Sequence, residues 1–482
     1  MKKRQISLWE ALIPVIFLTA LLAYNVQAVF HDDALGGSNQ FALLLGGAVA
    51  ALIGIKNKVA FKDMMAAVDK NIHSTSGAIL ILLFVGGLAG TWLLSGIVPT
   101  MIYYGMKILH PNIFLFASVV IAAVISVATG SSWSTSATVG IALVGIGKAL
   151  EINEGMVAGA VISGAYFGDK ISPLSDTTNL AAAMAEIDLF THIRYMLYTT
   201  IPSLSITLIL FAILGFFQGH HSSSAVNIDA MLTSIEQSFH ITPWLLLVPA
   251  LVIYLIIKKT EPLIALMLGT ILGGIFAVVF QSDVLMKLGH VTQLDFHTSY
   301  KVVINAITTG IQIETPNEKL TDLFSSGGMS GMLGTIWLIL SAMVFGGIME
   351  AIGALDRISQ AMLQVAKGDF GVFLSTATTC IFFNGTVSDQ YLAIVVPGKM
   401  YKKSFDDKGL APENLSRTLE DSGTVTSVLF PWNTGGAYNA KVLTVDTLSY
   451  VPYAFFNLLS PLMTLVFAYF KIRIRKKGPK SQ

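Results

Sequence analysis

Charge is scarce in this sequence and cysteine almost absent: Asp, Glu, Lys and Arg make up 12% of 482 residues, and Cys380 stands alone. A soluble domain averages about 25% charged residues, so an ordinary soluble globular protein is excluded. A single thiol excludes an intramolecular disulfide, and no Cys/His spacing suits zinc or haem. Lys plus Arg (30) nearly cancels Asp plus Glu (29), which removes any net-charge argument for nucleic acid. No HExxH, GxSxG or Walker pattern occurs, so neither a common hydrolase nor a nucleotide-driven machine is indicated. The expectation is no enzyme and no cofactor. A channel, the remaining alternative of another class, would not need the competing carboxylates described below.

What is present is apolar: 54% of residues are hydrophobic, with a mean hydropathy of +0.69. The fold class expected is an all-α polytopic membrane protein of roughly 10–14 membrane segments, broken ones included. The opening Met1-Lys-Lys-Arg resembles a signal peptide. The apolar run at 8–30 nevertheless reaches the ~20 residues of a span and has no small-residue cleavage site before the next one, so a retained first helix is expected. Basic residues at Lys2, Lys3, Arg4 and at Lys56, Lys58, Lys62 flank a hairpin whose connecting loop carries His31, Asp32 and Asp33, placing the basic ends in the cytoplasm. Residues 58–76 read as an interfacial stretch. The chain divides into a first half, 1–218 (hairpin 8–57, core 77–218), and an external linker, 219–242. A second half follows at 243–471 (hairpin 243–281, core 331–471), then a basic tail at 472–482, with both termini cytoplasmic.

The stretch Gly164-Ala-Tyr-Phe-Gly-Asp-Lys-Ile-Ser-Pro-Leu-Ser-Asp-Thr-Thr-Asn-Leu-Ala181 interrupts apolar sequence on both sides. Pro173 lacks an N–H and its ring clashes with the carbonyl of Asp169, so a helix entering here must break. Irregular backbone at membrane depth survives only in protein or beside a water-filled cavity, and broken helices bearing oxygen ligands are a transporter device for holding Na⁺ or H⁺. The halves also match in order: Gly86-Gly87 with Gly346-Gly347, Gly130-Ser-Ser with Gly385-Thr-Val, and Ser172-Pro…Asp176-Thr with Phe430-Pro-Trp-Asn433-Thr. The offsets stay within 255–260 residues, and the lysine clusters imply two inverted repeats with broken or re-entrant helices.

Carboxylates at the bilayer centre cost roughly 2.5–3.5 kcal/mol on insertion scales and serve a pathway or are paired. One that holds either a proton or Na⁺ makes the ions compete, and Na⁺, a hard cation, wants oxygen ligands. The cation-binding and proton-coupling candidates are Asp169, Asp176, Ser172, Thr177, Thr178, Asn179 and Asp389, aided by freed backbone carbonyls. Secondary candidates are Ser134, Thr135, Asn384, Asn433, Thr434 and Glu350. Competing roles stay open at this point: an ion pair of Asp169 with its neighbour Lys170, an N-cap for Asp176, and close helix packing for the Ser131–Thr138 cluster. Glu420 and Asp421 read as helix-end residues.

At these residues the chain resembles the NhaC family of bacterial Na⁺/H⁺ antiporters, within the wider ion-transporter superfamily. Gly130-Ser-Ser-Trp-Ser-Thr-Ser-Ala-Thr, the 164–179 motif and Phe430-Pro-Trp-Asn-Thr carry the resemblance, which runs over nearly the whole chain. It implies a bacterial inner-membrane antiporter exchanging cytoplasmic Na⁺, or Li⁺ in its place, for external H⁺, with a homodimer as its assembly. The family includes members similar to Na⁺/H⁺-coupled malate/lactate antiporters, so exchange of an organic anion is the alternative. Arg194 and Arg357 read as interfacial and Lys170 sits beside acids, which favours cations alone.

Overall fold

The computed structural model describes residues 6–29, 37–222, 228–258, 260–364, 368–387 and 389–477. Lys2, Lys3, Arg4, His31, Asp32, Asp33, Lys259 and the tail beyond 477 lie outside them. The regular secondary structure of the described residues is helical apart from a short antiparallel pairing of Ile311–Gln312 with Ser325–Ser326 and an isolated bridge from Leu410 to Lys476.

The first half holds α1 (Leu8–Tyr24), α2 (Ser38–Lys56), α3 (Phe61–Leu94), α4 (Ile97–Ile108) and α5 (Pro111–Thr129). A broken helix follows, α6 (Ser132–Thr135) and α7 (Ile141–Ala149) joined by a π turn at Ser136–Gly140, then α8 (Glu154–Ile171), α9 (Asp176–Ala185) and α10 (Leu189–Ser222). The linker contains α11 (Ile228–Ser238). The second half runs through α12 (Leu247–Ile257), α13 (Pro262–Phe280), α14 (Ser282–Gly289), α15 (Phe296–Thr308) and α16 (Glu318–Leu323) to α17 (Leu333–Ala351) and α18 (Ala354–Gln364). It closes with α19 (Gly368–Thr386), α20 (Leu392–Asp407), α21 (Pro412–Leu419), α22 (Thr434–Leu443), α23 (Thr447–Tyr450) and α24 (Phe455–Tyr469).

Residues 58–76 are not a separate interfacial arm: α3 starts at Phe61 and continues unbroken for 34 residues. No proline interrupts it, so the polar first turns run without a break into the apolar stretch Thr75–Leu94. Among the described residues six helices are long and apolar enough to cross a membrane, rising to eight if each of two bent pairs is one span. The broader segment count expected from sequence included the apolar runs at 156–167, 371–381 and 424–436. In the structure these belong to polar surroundings that include Asp169, Lys170, Asn384, Glu420 and Asp421.

Local chemistry explains the breaks. Ser172 precedes a proline and takes an extended conformation (φ −79°, ψ 131°), as a pre-proline residue must, and α8 ends at Ile171. Ser175 restarts the helix, its side chain accepting the Thr178 N–H at 3.3 Å, so Ser175 rather than Asp176 is the N-cap. The second half repeats the construction. After Phe430-Pro-Trp, Asn433 caps α22 by accepting the Gly435 N–H at 2.9 Å. Both α9 and α22 run ten residues, and both end in a left-handed non-glycine residue, Glu186 at φ 56° and Thr444 at φ 55°. Such residues are uncommon, and their recurrence at the offset read from the sequence marks a structural repeat. The repeats interlock: α9 packs on α20 and α21 of the second half, while α22 packs on the π turn and α7 of the first.

Candidate functional site

A cavity of about 450 Å³ lies where the broken helices meet, lined by Thr129, Gly130, Ser131, Trp133, Asp169, Leu174–Thr177, Gln390 and Tyr391, with Gly77, Ile81, Ile256 and Thr260–Pro262 at its edge. Gly130 sits at its wall in a left-handed conformation (φ +69°), where a Cβ would stand 2.4 Å from Leu174 Cβ. The two irregular stretches of the first repeat touch there, and only glycine fits.

Asp169 is 8% exposed, and its Oδ2 accepts both the Ser132 N–H at 3.1 Å and the Ser132 hydroxyl at 2.7 Å. The carboxylate is therefore anchored on the start of α6 while lining the cavity. Asp176, in the first turn of α9, is exposed to the cavity and accepts the Tyr391 hydroxyl of the second repeat at 3.0 Å. Thr177 is buried beside the cavity, 3.1 Å from the Ser175 hydroxyl, and donates to Glu420 Oε1 at 3.3 Å.

The other candidates take different places. Ser172 donates to Val127 O at 2.9 Å and Thr178 to Lys170 O at 3.0 Å. Asn179 donates to Pro173 O at 3.1 Å and Ser175 O at 2.7 Å. The carbonyls released by the break are thus taken up by the side chains just after it, which accounts for buried backbone polar groups. Ser134 donates its N–H to Ser131 Oγ at 3.2 Å, and Thr135 donates its hydroxyl to Ser131 O at 2.9 Å, so both consolidate α6. Asp389 is buried and accepts the Leu392 N–H at 2.9 Å at the head of α20. Asn433 donates to both oxygens of Asn384, at 3.0 and 3.1 Å, and the Thr434 hydroxyl lies 3.4 Å from Asn433 Oδ1. Asn384 in turn donates to Thr426 Oγ1 at 3.0 Å, and the next residue, Ser427, donates to Gln390 Oε1 of the cavity lining at 3.1 Å. Glu350 lies elsewhere, paired with Lys70 at 3.2 Å, whose side chain is largely exposed.

Lys170 does not pair with Asp169. Its ammonium, with no exposed surface, pairs with the equally buried Asp421 and donates to Ser460 Oγ at 2.8 Å. Asp421 also accepts from Thr199 at 2.9 Å and from Thr464. Among the described residues lining the cavity there is no Lys, Arg or His, so its field is that of carboxylates and neutral oxygens.

A second cavity of about 300 Å³ occupies the repeat-related position, between Gln40, Gly331–Thr335, Leu338, Pro431 and one side of α22. Between the two stands a stack of Trp133 on Tyr438, centroids 4.2 Å apart, with the Tyr438 hydroxyl donating to Trp133 O at 2.9 Å. Ser136 and Asn439 add a hydrogen bond of 2.7 Å across the same seam.

Residues 164–472, which hold the proline break, its repeat and all of the second half, match the model of the Na⁺/H⁺ antiporter family. The chain is 37% identical to the Na⁺/H⁺ antiporter NhaC of Alkalihalophilus pseudofirmus over 89% of each chain. This chain belongs to the Na⁺/H⁺ antiporter family. Other members it resembles are the malate-2H⁺/Na⁺-lactate antiporter of Bacillus subtilis, 36% identical over 96% of this chain and 94% of that one, and the NhaC of the same organism, 35% identical over 85% and 88%. Membership marks a transporter rather than an enzyme.

Within this family member, sequence reasoning missed Tyr391, Gln390 and Ser132, and underweighted Glu420. A signal for Tyr391 existed: it stands 258 residues after Trp133, within the 255–260 range of the repeat, and both aromatic residues line the same cavity. Nothing local distinguishes Ser132 from the other hydroxyls of its run.

Proposed function

We propose that the protein exchanges cytoplasmic Na⁺ for external H⁺, with Asp169 and Asp176 sharing the ions. The observation that carries this reading is that both carboxylates open on one cavity with hydroxyl and amide oxygens around them and no basic side chain among the described lining residues. A Na⁺ there is attracted by two formal charges; protons replace it on the same oxygens, and the ions take turns. Ser131, Ser175, Thr177 and Gln390 are the neutral oxygens within reach of the same space. The neighbouring Glu261 adds a negative charge at the rim, which raises the local cation concentration.

Exchange of malate or lactate, the alternative suggested by one relative, wants a cation to meet the carboxylate. Lys170, the nearest basic residue in sequence, is locked onto Asp421, which favours cations alone. The reading has the two repeats inverted, so that the 450 Å³ and 300 Å³ cavities reach toward opposite membrane faces with the Trp133–Tyr438 stack between them. The cavity beside Thr260 and Glu261 shares its side with Lys258 and so faces the cytoplasm under the positive-inside rule. The setting is a bacterial inner membrane with both termini cytoplasmic, a homodimer is the assembly, and no cofactor enters the cycle.

The test is Na⁺-dependent collapse of a pH gradient in everted vesicles. Asp169→Asn and Asp176→Asn are each expected to abolish it, while counterflow of radiolabelled malate is expected to be absent from the wild type. Full activity in either variant overturns the assignment, and malate counterflow moves the protein to the other exchange.

A further inference from the structure

One acid beside the cavity has no part in the scheme above. Glu420 has no exposed surface and lies in a π turn, Glu420–Thr424, a departure from α-geometry that recurs at functional sites. Its Oε1 accepts the Thr177 hydroxyl at 3.3 Å, and its Oε2 has no donor at hydrogen-bond distance; the Thr424 hydroxyl on the same turn, likewise unpaired, is the side-chain donor that faces it. Buried carboxylates are ordinarily satisfied by several donors or by a cation. The nearest ammonium, Lys170, is committed to Asp421. Arg417, on the preceding turn, stacks on the Tyr195 ring at 4.6 Å rather than meeting an acid. A carboxylate so placed lacks the donors or the cation that would hold its charge.

It is also connected. Ser175 and Thr177 both line the cavity, and their hydroxyls are 3.1 Å apart. A hydroxyl donates and accepts at once, so the pair forms a two-step relay from cavity to acid. We propose that Glu420 is a second proton carrier of the exchange, loaded and unloaded through Thr177. The inference rests on the exchange proposed above. In the loading step the Thr177 proton passes to Glu420 Oε1 as Thr177 Oγ takes another from the cavity side, turning a carboxylate into a carboxylic acid; unloading reverses it. A Na⁺ between Asp169 and Asp176 and a proton on Glu420 repel each other, so arrival of one drives out the other, and the cycle moves one more proton per Na⁺ than the cavity carboxylates carry alone. The charged groups around Glu420 are Asp169 and Lys170 on α8, Asp421 beside it and the buried Arg417 one turn earlier, with Asp176 beyond Thr177.

The experiment measures the H⁺:Na⁺ ratio in proteoliposomes, from the membrane potential, clamped with K⁺ and valinomycin, at which ²²Na⁺ flux stops under fixed Na⁺ and pH gradients. Glu420→Gln is expected to keep exchanging with the ratio lowered by one proton. Thr177→Val is expected to lower it likewise, and Thr177→Ser, which restores the hydroxyl, to return it to the wild-type value. An unchanged ratio in Glu420→Gln overturns the proposal. If that variant transports nothing, an unchanged ratio in Thr177→Val overturns it equally, and a lowered ratio restored by Thr177→Ser supports it. A wild type that moves no Na⁺ against a pH gradient instead refutes the exchange itself.

Discussion

Replacing Asp421 by leucine is expected to strip from an ammonium with no exposed surface the one carboxylate that pairs with it among the described residues. Removing one partner of a buried pair costs about 3–5 kcal/mol, because the remaining charge is left uncompensated. The three hydroxyls that also point at Asp421 add little: Thr199 already donates to Met196 O at 3.1 Å, and serine or threonine in a helix has its own preceding carbonyls to turn to. With an unfolding entropy that scales to roughly 1 kcal/mol per kelvin for a chain this long, the loss corresponds to a melting point lower by about 3–5 °C. The double variant Lys170→Met/Asp421→Leu removes both charges and is expected to melt within about 1 °C of the wild type, since apolar replacement of a buried pair is often neutral. Cys380, the one cysteine of the chain and fully buried, supplies the assay: a thiol-reactive dye gains fluorescence only as the detergent-solubilised protein opens. A single variant as stable as wild type, or a double variant as unstable as the single, refutes the idea that Lys170 depends on Asp421.

Tyr391→Phe removes one hydrogen bond to Asp176 while keeping the ring, and at about 0.5–1.5 kcal/mol the apparent Na⁺ affinity measured by flux is expected to change by roughly 2–10-fold with the melting point intact. Glu350→Gln breaks a pair whose lysine side chain is 70% exposed, worth about 0–1 kcal/mol, and exchange in everted vesicles is expected to stay at the wild-type rate.

The break at Pro173 was legible because proline acts on its own backbone, with no help from distant residues. The repeat was legible too, since Gly-Gly, Gly-Ser/Thr and X-Pro landmarks recur in order at offsets of 255–260 residues. Which side chains face the cavity was less so. Asp169 and Lys170 look like a pair on paper, yet consecutive helical residues point about 100° apart, so one turns to the cavity and the other to Asp421, 251 residues later in the chain. Thr178 and Asn179 have the right oxygens for a cation, but their side chains turn to carbonyls a few residues earlier and neither lines the cavity, a local competition that composition cannot reveal. Glu420 and Asp421 read as helix-end residues because two adjacent acids suggest solvent. Only tertiary packing shows one of them held by a lysine and the other by a single hydroxyl.

Two glycines bring α8 against α5. A Cβ at Gly164 would stand 2.2 Å from Val119 O, and one at Gly168 would stand 2.5 Å from Ala123 O, so α8 lies on α5 with backbone against backbone. Surfaces that close leave no layer of side chains to shear, and the two helices travel as a slab. Asp169, one residue past the second glycine, rides on that slab, while Asp176 rides on a ten-residue piece tethered by four non-helical residues. Widening or closing the distance between the two acids is therefore a motion of the short piece against the slab, and its pivot is the Ser172–Ser175 elbow.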